Sequence, residues 1–300
     1  MKEIKEFHMP SFGFFIIPKE KIVEKKTKFQ KLELFEHDFY GKVLRLDGYF
    51  QTSEFDEFLY HESLAQFPLF AHPNPKNVLI IGGGDGGALE EVIKHKYIKN
   101  ITMVELDKEV VEFSKKYLIE INKNSFDDKR VTLRIEDGIK FLENTKKTFD
   151  VIILDLTDPS GESRKLYTKE FYELISRRLN KKGILSLHTE AYIHYPKLFS
   201  RIISTLKSVF KYVGNHSVFI PIYGTSLSFG LCSNDVNFNE IDKETLKERF
   251  QNRNIFDLKY LDSNVFKSAL VEPKYLKNIM KTDTRISTLE NPIEEVIKNE

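Results

Sequence analysis

The chain has 300 residues, 41% hydrophobic and 30% charged, a globular composition with enough apolar residues for a sizeable core. Lys plus Arg number 46 against 45 Asp plus Glu, a formal net charge of +1, so no overall basic excess directs the chain to nucleic acid or an anionic membrane. The one cysteine, Cys232, excludes an intramolecular disulfide and a cysteine-based zinc cluster and fits a reducing, cytoplasmic setting. In chain order, residues 1–65 read as a small β-rich domain. The opening MKEIKEFHMP lacks the apolar stretch of a signal peptide. The longest apolar runs, 12–17 and 151–154, are far too short to span a membrane. Strands are predicted at 28–36 and 41–47, with Glu36-His37-Asp38 as the turn between them. The rings of Phe12, Phe14, Phe15, Phe29, Phe35, Phe39 and Tyr40 read as core packing. Lysines between 19 and 28 alternate with acids and read as solvated surface.

The rhythm changes after Pro73-Asn74-Pro75. Predicted strands at 78–81, 101–105, 131–135, 151–154 and 183–187 alternate with helices at 88–95, from Asp107 to about 121, from Thr168 to about 179, and at 196–210. An antiparallel pair at 218–222 and 227–232 completes the sheet edge. This alternation implies an α/β fold with a mostly parallel seven-stranded sheet covered on both faces. It assigns 66–236 to one α/β domain and 237–300 to a C-terminal helical appendage.

Gly82-Gly83-Gly84-Asp85-Gly86-Gly87 follows a strand and opens a helix, and Gly82, Gly84 and Gly87 fit the G-x-G-x-x-G spacing. Asp85 lies inside the loop, with Glu90 and Glu91 just beyond. Carboxylates there would repel a pyrophosphate, which argues against a nicotinamide or flavin and for a cationic ligand. Glu105 ends the next strand, where an acid accepts from ribose hydroxyls; Asp107, just before a helix, suits an N-cap. Asp137-Gly138 ends the third strand, where an acid can accept from an adenine amino group, with capping as the plain alternative. Asp155-Leu156-Thr157-Asp158-Pro159 ends the fourth, with both carboxylates expected to face the crevice. Acids at successive strand ends suit a positively charged adenosyl sulfonium. A carboxylate such as Asp155 could then accept the proton that an attacking amine releases.

These motifs, with Leu46-Asp47-Gly48 and the run Gln51 to Glu62 (QTSEFDEFLYHE), resemble the polyamine aminopropyltransferases, the spermidine synthase family. The resemblance covers about 30–229. It implies that 66–236 is a methyltransferase-like Rossmann catalytic domain, preceded by a small N-terminal β-domain. It also implies transfer of an aminopropyl group from decarboxylated S-adenosylmethionine to an amine, releasing methylthioadenosine. By position, Gln30, His61, Asp85, Glu105, Asp137 and Gly138 match donor-binding residues, Tyr60, Asp158 and Tyr223 match amine-binding ones, and Asp155 matches the proton acceptor. The spacing of the sequence alone gives His61 no partner. The family implies a homodimer or homotetramer that needs no metal or cofactor, the donor being a co-substrate.

Departures bear on the acceptor. DLTDP, followed by Ser160-Gly161-Glu162, and Pro221-Ile222-Tyr223-Gly224 resemble the thermospermine and aminopropylagmatine synthase branch. His188-Thr189-Glu190 keeps an acid that spermidine synthases often have, with His188 where they carry glutamine. Glu190 is therefore a candidate for a distal ammonium or guanidinium. Putrescine, agmatine and spermidine all remain open as acceptor. An S-adenosylmethionine-dependent methyltransferase and a non-catalytic polyamine-binding protein are the competing readings.

Overall fold

A computed structural model of the chain describes residues 2–294. The N-terminal part begins with a hairpin, β1 (Ile4–Met9) and β2 (Phe12–Ile16). A four-stranded antiparallel sheet follows: β3 (Glu20–Lys26), β4 (Lys31–His37), β5 (Gly41–Leu46) and β6 (Tyr49–Ser53). The charged stretch read as plain surface is thus the edge strand β3. Its Lys21 pairs with Glu24 and with Glu33 of β4, and charged edges of this kind resist further strand pairing.

Residues 57–71 form one helical run: α1 (Glu57–His61), a wide π turn at Glu62–Gln66, and α2 (Phe67–Ala71). Pro68 explains the wide turn. It has no N–H for the carbonyl of Leu64, and its ring would collide with that carbonyl in a regular helix. The Ser186 hydroxyl donates to Leu64 O instead, at 2.7 Å.

The remaining strands are β7 (Asn77–Gly82), β8 (Asn100–Glu105), β9 (Val131–Ile135), β10 (Phe149–Asp155), β11 (Leu179–Glu190), β12 (Tyr212–Ile220) and β13 (Thr225–Ser233). They form one sheet in the order β12-β13-β11-β10-β7-β8-β9, with the last five parallel and β13 and β12 antiparallel. This is the expected α/β architecture. The crossovers are α3 (Gly87–Ile93), α4 (Lys108–Tyr117), α5 (Ile119–Asn122), α6 (Gly138–Asn144), α7 (Lys169–Arg178) and α8 (Pro196–Lys207). The single helix expected from Asp107 to 121 is broken at Leu118, whose φ/ψ of −112°/36° is not helical. Strand alternation splits the core. Val78, Ile80, Val151 and Ile153 face Leu64, Leu89 and Val92, while Leu79, Ile81, Ile152 and Leu154 face Leu142, Ile175 and Phe199. The C-terminal helices α9 (Lys243–Asn252), α10 (Ser263–Ala269) and α11 (Lys274–Ile279) pack around these layers.

β7 and β10 are neighbours from which the chain winds to opposite sides of the sheet. The crevice at their carboxyl ends is where such folds bind ligands.

Candidate active site

The glycine loop leaves β7 with Gly82 at φ +84° and Gly83 at φ +74°. A Cβ at Gly82 would stand 2.0 Å from the carbonyl oxygen of Asp155, and one at Gly87 2.1 Å from His61 Cε1. Only glycine permits this approach of loop, β10 and α1. The Gly83 amide donates to Asp155 O at 2.9 Å, tying the loop to the end of β10.

Four groups converge here. The Tyr60 hydroxyl donates to Asp155 Oδ1 at 2.9 Å. Asp155 Oδ2 is buried and has no hydrogen-bond partner among the described residues. Burial, then the charge of Asp85, push the Asp155 carboxyl up to about 6 against the pull of His61 and Tyr60. Asp85 Oδ1 accepts from the Gly87 amide at 3.0 Å, and its Oδ2 lies 3.3 Å from His61 Nε2. Burial opposes ionisation of Asp85, but His61 holds its carboxyl below the usual range. His61 Nδ1 lies 2.7 Å from Glu57 Oε2. Burial works against the imidazolium, yet Asp85 and Glu57 raise the His61 pKa well above its ordinary value. His61 therefore does have a partner, four residues back on the same helix face, a pairing that i,i+4 spacing offers.

The acids expected beside the loop do not all face the crevice. Glu91 pairs with Lys94 and Gln66, and Glu90 with Lys94 and Lys123. Glu90 is held by lysines and burial pushes the Glu91 carboxyl up to about 8, so the acids left to face a ligand are Asp85, Asp155 and Glu105. Burial pushes Glu105 up to about 7. Its Oε1 accepts from the Asp107 amide at 2.9 Å, and its Oε2 would lie 3.2 Å from a Cβ on Gly84. Asp107 is the N-cap of α4 and also accepts from the Thr27 hydroxyl at 2.6 Å and from Gln30 Nε2 at 3.5 Å. Gln30 thereby reaches the crevice from the small sheet. Asp137 caps α6, accepting from the Lys140 amide at 2.9 Å, and a Cβ on Gly138 would meet Ile81 at 2.6 Å. Both sit at the β9 end of the row, with Glu136 N bonded to Glu105 O.

On the other side of Asp155, ligand atoms of Asp158, His188 and Glu190 lie within 4.8 Å of one another. His188 shares a 2.9 Å hydrogen bond with the Tyr167 hydroxyl, which also contacts Thr157 O. Glu190 sits in a bulge of β11 with φ +79°. Tyr223 meets Tyr60 edge to face at 6.3 Å, its hydroxyl donating to Gln51 O. Its segment is fixed by Asp56, which accepts from the Ile222 amide at 2.7 Å. Glu57, Asp56 and Tyr167 were not singled out from the sequence. Glu57 and Asp56 each have a local partner, His61 four residues on and Ser53 three back, but the Asp56 bond to Ile222 and the Tyr167 bond to His188 cross long sequence separations.

His61, Asp85 and Asp155 also place ligand atoms within 4.8 Å of one another, a donor set of the right size for a cation. With a carboxylate at each nitrogen, however, the imidazole is placed to donate from both, an arrangement that leaves it no lone pair to offer a cation.

Residues 57–243 match the model of the spermine/spermidine synthase domain and residues 4–54 that of the spermidine synthase tetramerisation domain. A polyamine aminopropyltransferase of Sulfurisphaera tokodaii is 40% identical over 274 residues, covering 91% of each chain. One of Methanocaldococcus jannaschii is 39% identical, covering 92% of this chain and 94% of that one. The crystal structure of spermidine synthase from Thermotoga maritima superposes with a TM-score of 0.86 at 33% identity, covering 93% of this chain and 94% of that chain. A spermidine synthase complex with the transition-state analogue AdoDATO gives a TM-score of 0.87 with the same identity and coverage. With both family models and the full-length fold in agreement, the chain belongs to the spermine/spermidine synthase family, the polyamine aminopropyltransferases.

Proposed function

We propose that the chain transfers the aminopropyl group of decarboxylated S-adenosylmethionine to putrescine, forming spermidine and methylthioadenosine. The observation that carries this reading is Asp155: one oxygen oriented by Tyr60, the other buried and open for a proton, with a carboxyl that titrates near 6. The neutral amine attacks the methylene carbon beside the sulfonium. The carbon–sulfur bond breaks with its electrons going to sulfur, and the nitrogen's surplus proton passes to Asp155. Gln30, His61, Asp85, Glu105, Asp137 and Gly138 hold the donor, and Tyr60, Asp158, Tyr223 and Glu190 the amine. The donor is a co-substrate, and no metal or other cofactor enters the reaction. Turnover should therefore survive exhaustive chelation, and loss restored by a divalent ion would refute this part. The match of 4–54 to a tetramerisation domain supports a homotetramer. Among the described residues no helix is long and apolar enough to cross a membrane, in keeping with a cytoplasmic enzyme.

A second acceptor class is favoured by one observation. Asp158, His188 and Glu190 form a further polar cluster beyond Asp155, which suits the far cation of a longer or guanidino acceptor, spermidine or agmatine. A methyltransferase is the weaker reading, since Asp85 would repel the carboxylate of an intact S-adenosylmethionine. Incubating the protein with decarboxylated donor and equimolar putrescine, agmatine, spermidine and cadaverine, with products read by mass spectrometry, decides among these. With the donor's aminopropyl group isotope-labelled, label appearing chiefly in spermidine is the expected result. A dominant agmatine or spermidine adduct would move the assignment to the second class. No adduct, with donor binding intact, would refute transfer altogether.

A further inference from the structure

The helix turn that carries Tyr60 and His61 also carries Glu57, which the reaction above leaves without a role. Glu57 Oε2 is 2.7 Å from His61 Nδ1, and Asp85 Oδ2 is 3.3 Å from His61 Nε2. An imidazole between two ionised carboxylates must donate from both nitrogens. The ring has no room to swing away, because the backbone of Gly87 is pressed against it; a Cβ there would stand 2.1 Å from His61 Cε1. We propose that Glu57 is a positioning residue that keeps His61 protonated on both nitrogens, so that a fixed cation stands behind Asp85 and Asp155 at the bond-forming end of the crevice. The catalytic consequence rests on the aminopropyl-transfer reading; the charge state of His61 does not.

The groups around the ring are few. α1 supplies Glu57 and Tyr60, the glycine loop Asp85, and β10 Asp155. On α3, which packs against α1, Glu90 is paired with Lys94 and Lys123, and burial pushes the Glu91 carboxyl up to about 8 beside Lys94. On β12, His216 is stacked against Phe67, and burial pushes its pKa down to about 3, so it carries no charge at neutral pH. In the π turn, Glu62 is taken up by the amides of Lys259, Tyr260 and Leu261. Tyr223 turns its hydroxyl to Gln51 O. The charge on His61 is therefore decided by Glu57 and Asp85. Burial alone would discharge the ring. In turn the imidazolium draws the Asp155 carboxyl down, against the burial and the Asp85 charge that push it up to about 6. Asp155 accepts a proton only when ionised, so discharging His61 moves the acid side of activity to higher pH.

Glu57→Gln keeps the size and one hydrogen bond but removes the charge. In full-length protein labelled with 15N-histidine, the His61 signal can be identified by its loss in His61→Gln. It should show both nitrogens protonated at pH 7 in the wild type and one in Glu57→Gln. The acid limb of kcat/KM should move up by about one pH unit in Glu57→Gln and return in Glu57→Asp. A singly protonated His61 in the wild type, or a doubly protonated one in Glu57→Gln, overturns the proposal. So does a Glu57→Gln enzyme that loses kcat at every pH with its acid limb unmoved, the mark of a merely structural role. If Glu57→Gln fails to fold, the wild-type histidine signal still decides. If the wild type shows no aminopropyl transfer, the functional reading fails while the histidine spectrum still tests the charge.

Discussion

Asp155 gives the sharpest expectations at the scale of single residues. It is a carboxylate held where its charge is costly, with its pKa raised from 3.8 to about 6. Activity should fall as pH drops through about 6, because the proton acceptor is then already protonated. Asp155→Asn should lower kcat by roughly 10²- to 10⁴-fold while calorimetry shows donor affinity within a few-fold of wild type. Near-normal turnover in that variant would remove Asp155 as acceptor. The stability consequence has the opposite sign. A group whose folded pKa is raised favours the fold below its unfolded pKa and loses that contribution as pH rises through the folded value. At pH 8 the buried charge costs about 3 kcal/mol on this basis. Asp155→Asn should therefore melt higher than wild type at pH 8, with the gain gone near pH 4. Equal melting temperatures at both pH values would show that the buried charge carries no such cost.

At the scale of elements, the site depends on how the ends of strands and helices are finished. Asp107 caps α4 and at the same time receives Thr27 and Gln30 from the small sheet, so one carboxylate anchors both a helix and a donor-side residue. Asp107→Ala should cost about 1–2 kcal/mol and weaken donor binding, whereas Asp107→Asn, which can still cap, should cost less. Equal losses in the two would deny the capping role. Gly82 is the tightest point of the loop, at φ +84° and with the Asp155 carbonyl in the space a Cβ would occupy. Gly82→Ala should destabilise by about 2 kcal/mol or more and abolish donor binding even in folded protein. Retained binding would mean that the loop can shift without harm to the crevice. Much of this level was readable beforehand. The glycine spacing, the Asp107 and Asp137 caps and the strand-end acids are local patterns, and each cap bonds to a nearby amide of its own helix. The break at Leu118 and the strand β3 were not readable, since the first runs against a continuous helical pattern and the second hides in alternating charges.

At the scale of the whole molecule, three packing regions meet behind the crevice. Leu32, Leu34 and Leu44 of the small sheet pack on Val110 and Phe113 of α4. The central sheet carries the strand ends, and the C-terminal segment braces the π turn, with Glu62 accepting amides of Lys259, Tyr260 and Leu261 at 2.7, 2.9 and 2.8 Å. Glu62 is buried, as are these bonds' surroundings in α2 and α10. Glu62→Ala strands three amides and should cost about 2–4 kcal/mol. It should also expose the chain around 253–262 to limited proteolysis before the central sheet unfolds. A cleavage pattern unchanged from wild type would show that the C-terminal segment is held by other contacts.

The sequence by itself determined the parallel sheet, the position of the glycine loop and the row of acids at Asp85, Glu105, Asp137 and Asp155. Apolar periodicity and strand-end position are local properties, and in an α/β fold every strand end reaches the same edge. Tertiary structure alone decided which acids stay charged toward the crevice. Glu90 is paired with lysines and Glu91 is pushed up to about 8 by burial, while Asp85 is set against His61 and Asp155 keeps one oxygen open. It also decided that Asp158, His188 and Glu190 meet, through a bulge in β11 that no alternation rule foretells. Charge state depends on burial and on partners far away in the chain, and neither is written in residue spacing.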